Sequence, residues 1–394
     1  MNPDSTDSTW RFLNEKQNNA MKKLYSLILS ALSIAAFGQI PNGYYNNATG
    51  SGYALKTQLR TIISNGHSDQ GYNALWTLFT NSAFRDNYYE NNGTLLDMYS
   101  ENPAGADSYE YSSTSEQCGN YNSESDCYNR EHLVPQSYFE DYQVNPMKND
   151  PFHVVPADGW VNGQRGNLPF GPVSSPTYTS SNGSKKGNNT NSGYSAGYSS
   201  TVFEPIDEFK GDIARSLFYF ATRYENFMDD FYNAADGSST QSKAMFDGST
   251  NKVFSNTFLN ILITWHQNDP VSAKEIAINN AIYNYQGNRN PYIDHPEYVC
   301  QIWTAACDAL GTGYSANPLK VSIYPNPSNG TININSENTV NQIRLTNISG
   351  QLVRTIANPE FQNNTYTLEH LPTGFYLLHL SGDAGDSVLK IVIH

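Results

Sequence analysis

The chain has 394 residues, 13% of them aromatic, so it is long enough to bury a substantial core and to form two domains. Its 23 Lys and Arg residues are outnumbered by 37 Asp and Glu residues, which gives a net charge of -14. This composition excludes a disordered chain and a protein that attracts polyanions through overall positive charge. Any site for a polyanion must therefore be a local basic or metal-containing groove.

The N-terminal region has the pattern of an export signal. Met21-Lys22-Lys23 precedes an apolar run from Leu24 to Phe37, and the run ends in the small residues that a signal peptidase requires. We expect residues 1–20 to be a mis-annotated leader and residues 21–38 to be the signal peptide. A membrane anchor is the alternative, although the run is shorter than the about 20 residues that span a bilayer. No later segment is expected to insert stably into a membrane.

Helical spacing of apolar residues appears first in Tyr53 to Ile63 and Tyr72 to Ser82. Asn129 to Val134 is then predicted to be a strand, and Val154 to Pro156 a second short strand. Asp158 can cap a helix that follows directly. The predicted order is therefore two packing helices, then strand, loop, strand and helix.

Residues 173–200 contain scarcely an aliphatic side chain and are predicted to form an exposed loop. Helical spacing resumes in three later segments, Asp207 to Tyr224, Ser255 to Trp265 and Ser272 to Asn284. Together these patterns predict a mostly helical region that extends to about residue 310.

The four cysteines agree with export, since extracellular proteins commonly form disulfides. Of the three connectivities, we favour Cys118 with Cys127 and Cys300 with Cys307. The second pair conflicts with the helical pattern of Glu297 to Leu310, because seven residues of continuous helix separate Cα atoms by about 10 Å. Either the helix breaks between these cysteines or they pair differently, and unpaired buried thiols are the remaining alternative.

A Gly-, Ser- and Pro-containing stretch at residues 311–318 has the composition of a linker. Beyond it, short alternating segments are spaced as in a β-sandwich. The predicted strands are Lys320 to Tyr324, Thr331 to Ile334, Gln342 to Asn347, Gln351 to Ile356, Thr365 to Leu368, Gly374 to Leu380 and Ser387 to Ile393.

Two segments carry the residues with the clearest chemistry. Arg130 to Pro135 places the carboxylate of Glu131 beside the imidazole of His132, and Val161 to Asn167 adds an amide and a guanidinium. A carboxylate and an amide oxygen can hold a hard cation such as Mg²⁺, while a neutral imidazole can accept a proton from water. These groups are the components of metal-assisted phosphodiester hydrolysis.

Four segments resemble the bacterial endonuclease I family, which comprises secreted nucleases of the His-Me finger (ββα-metal) type. They are NREHLVPQS from Asn129, DPFHVVPADGWVNGQRGN from Asp150, FEPIDEFKGDIARSLFYFATRY from Phe203, and WHQNDPVSAKE with QGNRNPYIDHPE between Trp265 and Glu297. The resemblance implies an α+β fold in which residues 39–310 form a mostly helical nuclease domain with an embedded ββα-metal motif. It also implies an endonuclease that cuts DNA, RNA or both with low sequence specificity and leaves 5′-phosphate ends.

The resemblance also implies roles for individual residues. His132 is expected to be the general base, and Glu131 and Asn162 are expected to be ligands of Mg²⁺, with Mn²⁺ or Ca²⁺ as alternatives. Adjacent residues of a regular strand point to opposite faces, so a shared site for Glu131 and His132 requires a bulged strand end. Arg165 either neutralises charge on the phosphate or braces the loop after Asn167.

Each assignment has a structural alternative. His132 could be a core histidine bonded to the backbone, Glu131 could form a surface ion pair with Arg130, and Asn162 could cap a helix. The chain also departs from some members of the family, because Lys148 stands where they have a carboxylate and leaves Asp150 as a candidate substitute. His153 is a supporting candidate, with packing as its alternative. The basic residues available to a groove are Arg130, Arg165, Lys185, Lys186, Lys210, Arg215 and Arg289.

Three further segments, Tyr324 to Gly330, Leu371 to Tyr376 and Val388 to Ile393, resemble the C-terminal sorting domain of type IX secretion cargo. Residues 319–394 are therefore expected to form a small all-β sandwich that interacts with the type IX secretion machinery. A carbohydrate-binding or adhesion module is the structural alternative.

The expected protein is thus a monomeric nuclease, secreted to the extracellular space or the cell surface, whose substrate is nucleic acid. An RNA-preferring extracellular ribonuclease is one alternative. A surface binding or adhesion protein on an inactive nuclease scaffold is the other.

Overall fold

A computed structural model describes residues 40–112, 114–234, 240–311, 321–347, 352–382 and 385–394. The expected leader, the signal peptide and the linker after Gly311 lie outside these ranges. None of the helices within them is long and apolar enough to cross a membrane.

Helices dominate the first part of the described chain, as the apolar spacing predicts. They are α1 (Gly52–Ser64), α2 (Ala74–Leu78), α3 (Gly159–Arg165), α4 (Lys210–Arg223), α5 (Met228–Asn233), α6 (Asn256–Asn268), α7 (Ala273–Gln286), α8 (Pro291–Asp294), α9 (Tyr298–Ile302) and α10 (Thr304–Ala309). The second predicted helix is shorter than expected, because Asn81 Oδ1 accepts a hydrogen bond from Ala83 N and starts a separate 3₁₀ turn at Ser82.

The core of this region surrounds α4, which packs against α1 and α6. Ile213, Leu217, Phe218 and Phe220 of α4 are all fully buried. Burial of a large apolar side chain contributes about 1.5 to 3 kcal/mol, so these four residues make α4 a major stabilising element of the core.

The expected strand, loop, strand and helix are present. β1 (Tyr128–His132) pairs antiparallel with β2 (Val154–Asp158), and α3 follows β2 directly. The predicted cap is confirmed, because the Asp158 side chain accepts a hydrogen bond from Val161 N at 2.8 Å. α3 approaches Tyr121 closely at Gly159, where a Cβ would lie only 2.6 Å from the ring.

The prediction of an exposed loop at residues 173–200 is wrong. β3 (Val173–Thr179), β4 (Lys185–Asn189) and β5 (Thr201–Glu204) form an antiparallel sheet in that order. Polar contacts and backbone pairing stabilise it; for example, Asn189 Nδ2 donates to Ser195 O at 2.8 Å and to Tyr198 O at 2.7 Å. The scarcity of aliphatic side chains was misleading here, because a sheet that is stabilised by backbone hydrogen bonds needs few of them.

The favoured disulfides are both present, Cys118–Cys127 and Cys300–Cys307. A continuous helix from residue 297 to residue 310 is therefore wrong, because α9 and α10 are separate helices that meet at Trp303. The buried Trp303 packs on Phe218 and donates from Nε1 to Lys252 O at 2.9 Å. The break brings the Cα atoms of the two cysteines to 5.7 Å.

The C-terminal part is all-β, as predicted. Its strands are β6 (Val321–Tyr324), β7 (Ile332–Ser336), β8 (Val340–Asn347), β9 (Leu352–Ala357), β10 (Thr365–Leu368), β11 (Gly374–Gly382) and β12 (Gly385–Ile393). They form a three-stranded sheet of order β10-β7-β6 and a four-stranded sheet of order β12-β11-β8-β9. Apolar residues of both sheets, including Ile334 and Leu378, share one core that is separate from the helical core.

Candidate active site

The side chains of β1 alternate between two environments. Asn129 and Glu131 contact side chains of α3, whereas Arg130 and His132 contact the ring of Tyr72. The pairing with β2 has no register shift, so adjacent side chains leave the strand on opposite faces. The bulge that a shared site for Glu131 and His132 requires is therefore absent from this described pairing.

Glu131 lies in a buried pair with Arg165. The two side chains are 3.0 Å apart, and Tyr99 donates from its hydroxyl to the same carboxylate oxygen, Oε1, at 3.2 Å. Burial raises the pKa of Glu131 to about 7, against the opposing effect of Arg165. The alternative surface ion pair with Arg130 does not form.

Arg165 is a buried brace for the end of β1. Its Nη1 donates to His132 O at 2.7 Å and its Nη2 donates to Leu133 O at 2.6 Å, while the guanidinium lies over the ring of Phe170. The side chain is only 1% exposed. The side-chain hydrogen bonds brace the end of β1 rather than the loop after Asn167, which the guanidinium contacts at the ring of Phe170. A phosphate contact is unfavourable because the guanidinium is buried and occupied.

Asn162 lies in the middle of α3, facing β1. Its Nδ2 donates to Asn129 Oδ1 at 2.7 Å, which orients the amide and leaves its carbonyl oxygen available as a ligand. The capping alternative for Asn162 is wrong, because Asp158 caps this helix. Sequence analysis missed Asn129, although it precedes Glu131 by two residues and so shares its face of the strand.

His132 is held by a backbone carbonyl. Its Nε2 is 3.1 Å from Lys148 O, and since a carbonyl can only accept, Nε2 carries the proton. Burial, followed by the neighbouring His153, lowers the pKa of His132 to about 3. The imidazole is therefore neutral at pH 7, with Nδ1 as its unprotonated nitrogen. This carbonyl had no signal in the sequence, because any residue at position 148 offers one.

Basic and aromatic groups surround His132. The Arg130 guanidinium lies 3.3 Å from the centroid of the Tyr72 ring, and Lys148 Nζ lies 4.9 Å from the same centroid. Arg130 also lies 4.2 Å from the Trp76 ring. Neither cation is paired with a carboxylate of the described residues. We call Tyr72, Trp76, Arg130 and Lys148 the basic patch.

Most of the other proposed groove residues are occupied elsewhere. Arg215 forms a buried pair with Glu275, and Arg289 a buried pair with Asp294. Lys210 is bound by two carboxylates, Lys186 donates to Gln164, and Lys185 lies half-buried in β4. Arg215, Arg289 and Lys210 are therefore structural cations and do not line a groove.

Asp150 and His153 belong to the core beneath the site. Asp150 accepts hydrogen bonds from the hydroxyls of Tyr219 and Tyr224 and from Gln286, so this carboxylate is saturated and does not replace a metal ligand. His153 is fully buried, and its Nε2 lies 2.6 Å from Met147 O. Both residues support the segment that carries the Lys148 carbonyl.

The residues expected to hold a divalent cation fit one chemically. Glu131 of β1 faces α3, and Asn162 of α3 faces β1. Both side chains offer oxygen atoms, which hard cations prefer. Both hydrogen-bonding contacts of Glu131 use Oε1, so Oε2 is available.

Comparison with known proteins identifies the family. A family model described as Endonuclease I matches residues 51–297. The chain belongs to the endonuclease I family. An extracellular ribonuclease of Bacillus amyloliquefaciens is 33% identical over 265 residues, which cover 66% of this chain and 78% of that protein. An extracellular ribonuclease of Bacillus subtilis (strain 168) is 30% identical over 295 residues, which cover 74% of this chain and 88% of that protein.

A second family model, the secretion system C-terminal sorting domain, matches residues 322–394. The expected sorting domain is therefore confirmed, and the carbohydrate-binding alternative is wrong. The protein is a secreted nuclease, and the expectation of an enzyme is confirmed over that of an inactive scaffold.

Proposed function

We propose that this nuclease is a divalent-metal-dependent endonuclease that hydrolyses phosphodiester bonds in RNA and DNA with little base specificity. One observation carries the mechanism. His132 Nε2 bonds to Lys148 O at 3.1 Å, which leaves a neutral imidazole with Nδ1 free to accept a proton. A general base of this kind takes the proton of the attacking water as the bond to phosphorus forms.

Glu131 and Asn162 would hold the cation, with Mg²⁺ as the first choice and Mn²⁺ or Ca²⁺ as alternatives. A bound divalent cation supplies charge stabilisation at the scissile phosphate and at the leaving 3′ oxygen. Asn129 orients the Asn162 amide through its 2.7 Å hydrogen bond, and Arg165 fixes the strand end. In this proposal Arg165 is a positioning residue.

The substrate would lie across the end of β1, because Glu131 and His132 flank the strand on opposite faces. For one phosphodiester group to reach both side chains, the strand end would have to depart from the regular pairing with β2 when substrate binds. The basic patch beside His132 would contact the adjoining phosphates. Such contacts carry no base information, which supports low sequence specificity.

A preference for RNA is the second candidate. Both curated relatives are extracellular ribonucleases by name, and discrimination between RNA and DNA depends on contacts with the 2′-hydroxyl.

We also propose the domain boundaries of the whole chain: a leader at 1–20, a signal peptide at 21–38, the nuclease domain at 39–310, a linker at 311–318 and the sorting domain at 319–394. The chain is proposed to act as a monomer. Mass spectrometry of the secreted protein identifies its N-terminus and so tests the signal-peptide boundary. Light scattering gives its mass in solution and so tests whether it is a monomer.

The test of the function is an assay with plasmid DNA, single-stranded DNA and RNA, each with Mg²⁺ and with chelator. We expect cleavage of RNA and DNA with Mg²⁺ and none with chelator. Cleavage of RNA alone would establish the second candidate. Equal cleavage with chelator would contradict the metal requirement.

A further inference from the structure

Three carboxylates outside the candidate active site converge in the nuclease domain. Oxygen atoms of Asp86, Glu90 and Glu101 all lie within 4.8 Å of one another. Asp86 begins a loop that is closed at Gly93 and Thr94, because its backbone N donates to Thr94 O and its O accepts from Gly93 N, each at 2.9 Å. We call Asp86, Glu90 and Glu101 the acidic cluster.

Four oxygens of the acidic cluster are buried and accept no hydrogen bond from the described residues. They are Asp86 Oδ2, Glu90 Oε1, Glu90 Oε2 and Glu101 Oε1. Asp86 and Glu101 are each only 1% exposed. Buried carboxylate oxygens almost always have a donor or a cation, because an unpaired buried charge costs several kcal/mol. Four such atoms in one place indicate a missing positive partner.

Among the residues that the structure describes, no cationic side chain forms an ion pair with the acidic cluster. Lys274 is the cation that acts most directly on Glu101, but its Nζ is held by Asp212 at 2.6 Å. Asp107 adds further negative charge nearby. Burial, together with Asp107 and Glu90, raises the pKa of Glu101 to about 9, so a proton is the competing partner.

We propose that Asp86, Glu90 and Glu101 bind a structural Ca²⁺ ion that is separate from the catalytic cation. Ca²⁺ takes six to eight oxygen ligands at about 2.3 to 2.6 Å in a flexible geometry, and oxygens that all lie within 4.8 Å of one another can reach one such ion. Mg²⁺ requires a stricter octahedron and usually keeps several waters, so it is bound through one or two carboxylates rather than three. Water would complete the coordination.

The Ca²⁺ site has a connection to the candidate active site. Tyr99 lies two residues before Glu101, and its hydroxyl donates to Glu131 Oε1. Ca²⁺ therefore fixes the segment that delivers this hydroxyl, while it remains a stabilising ion rather than a participant in the chemistry.

The test uses the full mature chain after chelation and dialysis. Calorimetric titration with Ca²⁺ should detect a site that remains in Asn162→Ala, where the proposed catalytic site is weakened, and this site should disappear in the double variant Asp86→Asn/Glu101→Gln. Addition of Ca²⁺ should raise the unfolding temperature of the wild type and of Asn162→Ala but not that of the double variant. Without Ca²⁺ the double variant should unfold at or above the wild-type temperature, because the amides remove the repulsion.

Glu110→Gln is the matched control, since it removes one exposed carboxylate from the same region and should leave Ca²⁺ binding unchanged. Glu90→Gln is a milder variant that keeps the two most buried groups and should weaken Ca²⁺ binding about tenfold or more. Absence of Ca²⁺ binding by the wild type, or unchanged binding by Glu90→Gln and the double variant, would overturn the proposal. A proton shared within the cluster would then be its partner.

Discussion

The position of His132 suits a general base, although its imidazole is only weakly basic. Burial holds its pKa near 3, so the imidazole stays neutral across the physiological range, and the Lys148 carbonyl fixes the proton on Nε2. The low pKa keeps the imidazole in its proton-accepting form but reduces its driving force to take a proton from water.

His132→Ala should abolish proton transfer and leave the proposed ligands intact. We expect turnover to fall by about 10² to 10⁴ while Mg²⁺ affinity stays near that of the wild type. Nicking rates beside calorimetric Mg²⁺ titration check both points. Near wild-type turnover in the folded variant would remove His132 from the mechanism.

The matched variants for metal binding are Glu131→Gln and Asn162→Ala, which should lose Mg²⁺ affinity and regain part of the rate in excess Mg²⁺. Gln is preferred to Ala at position 131, because its amide oxygen can still accept a hydrogen bond from the buried Arg165. The loss should be larger for Glu131→Gln, since a charged ligand contributes more attraction than an amide.

His266, a buried histidine outside the candidate active site, is one source of acid sensitivity. Burial, and then Arg215, lowers the pKa of His266 from 6.5 to about 3. The unfolded chain therefore takes up a proton at higher pH than the folded one, so the stability contributed by neutral His266 is present above pH 6.5 and is lost as pH falls towards 3.

His266→Gln should reduce that loss, since Gln can still donate to Pro296 O but cannot take up a proton. Urea unfolding at pH 7, 6, 5 and 4 should show a shallower decline for this variant than for the wild type. His295→Gln, at a half-exposed ring, is the control. Parallel curves for wild type and His266→Gln would contradict the assignment.

The sequence picked out the candidate residues of the site but not the groups that hold them in place. Glu131, His132 and Asn162 stand in short motifs whose residue types are informative by themselves. The Lys148 carbonyl and the Asn129–Asn162 contact arise only when β1, β2 and α3 pack together. The roles of the three motif residues in catalysis stay predictions until the variants are assayed.

Among the elements, long periodic helices and the strands of the ββα arrangement were predictable, since apolar spacing determines them. The sheet β3-β4-β5 was not, because its strands are polar and pair mainly through the backbone. The break at Trp303 was also hidden, since residues on either side keep helical spacing and only the cysteine distance argued against a continuous helix.

Gly187 is the weak point of the β3-β4-β5 sheet. A Cβ at this position would lie 2.3 Å from Ser175 O and 2.7 Å from Val173 Cγ1. Gly187→Ala should therefore cost about 1 to 3 kcal/mol and lower the unfolding temperature by a few degrees. Gly119→Ala, where no atom lies within 4 Å, is the control, and equal unfolding temperatures for both variants would show that the sheet relaxes freely.

For the molecule as a whole, the net charge of -14 opposes binding of a polyanion, so the basic patch must act locally. Arg130→Gln should raise KM more than it lowers kcat. It should also reduce the slope of the logarithm of the binding constant against the logarithm of salt concentration by about one. Lys390→Gln removes the same charge from the exposed surface of the C-terminal domain and is the control. Equal effects of both variants would mean that only net charge matters.

The two separate cores predict that nuclease activity and export can be divided. The helical core contains every proposed catalytic and metal-binding element, and the C-terminal core is built from β-strands alone. A chain ending at Leu310 should therefore fold, cleave nucleic acid at the full rate and fail to cross the outer membrane. Activity of the purified truncated protein, compared with its amount in the culture medium, measures both effects. A well-folded but inactive truncated protein would mean that the C-terminal domain is part of the enzyme, and an exported one would mean that the sorting signal lies elsewhere.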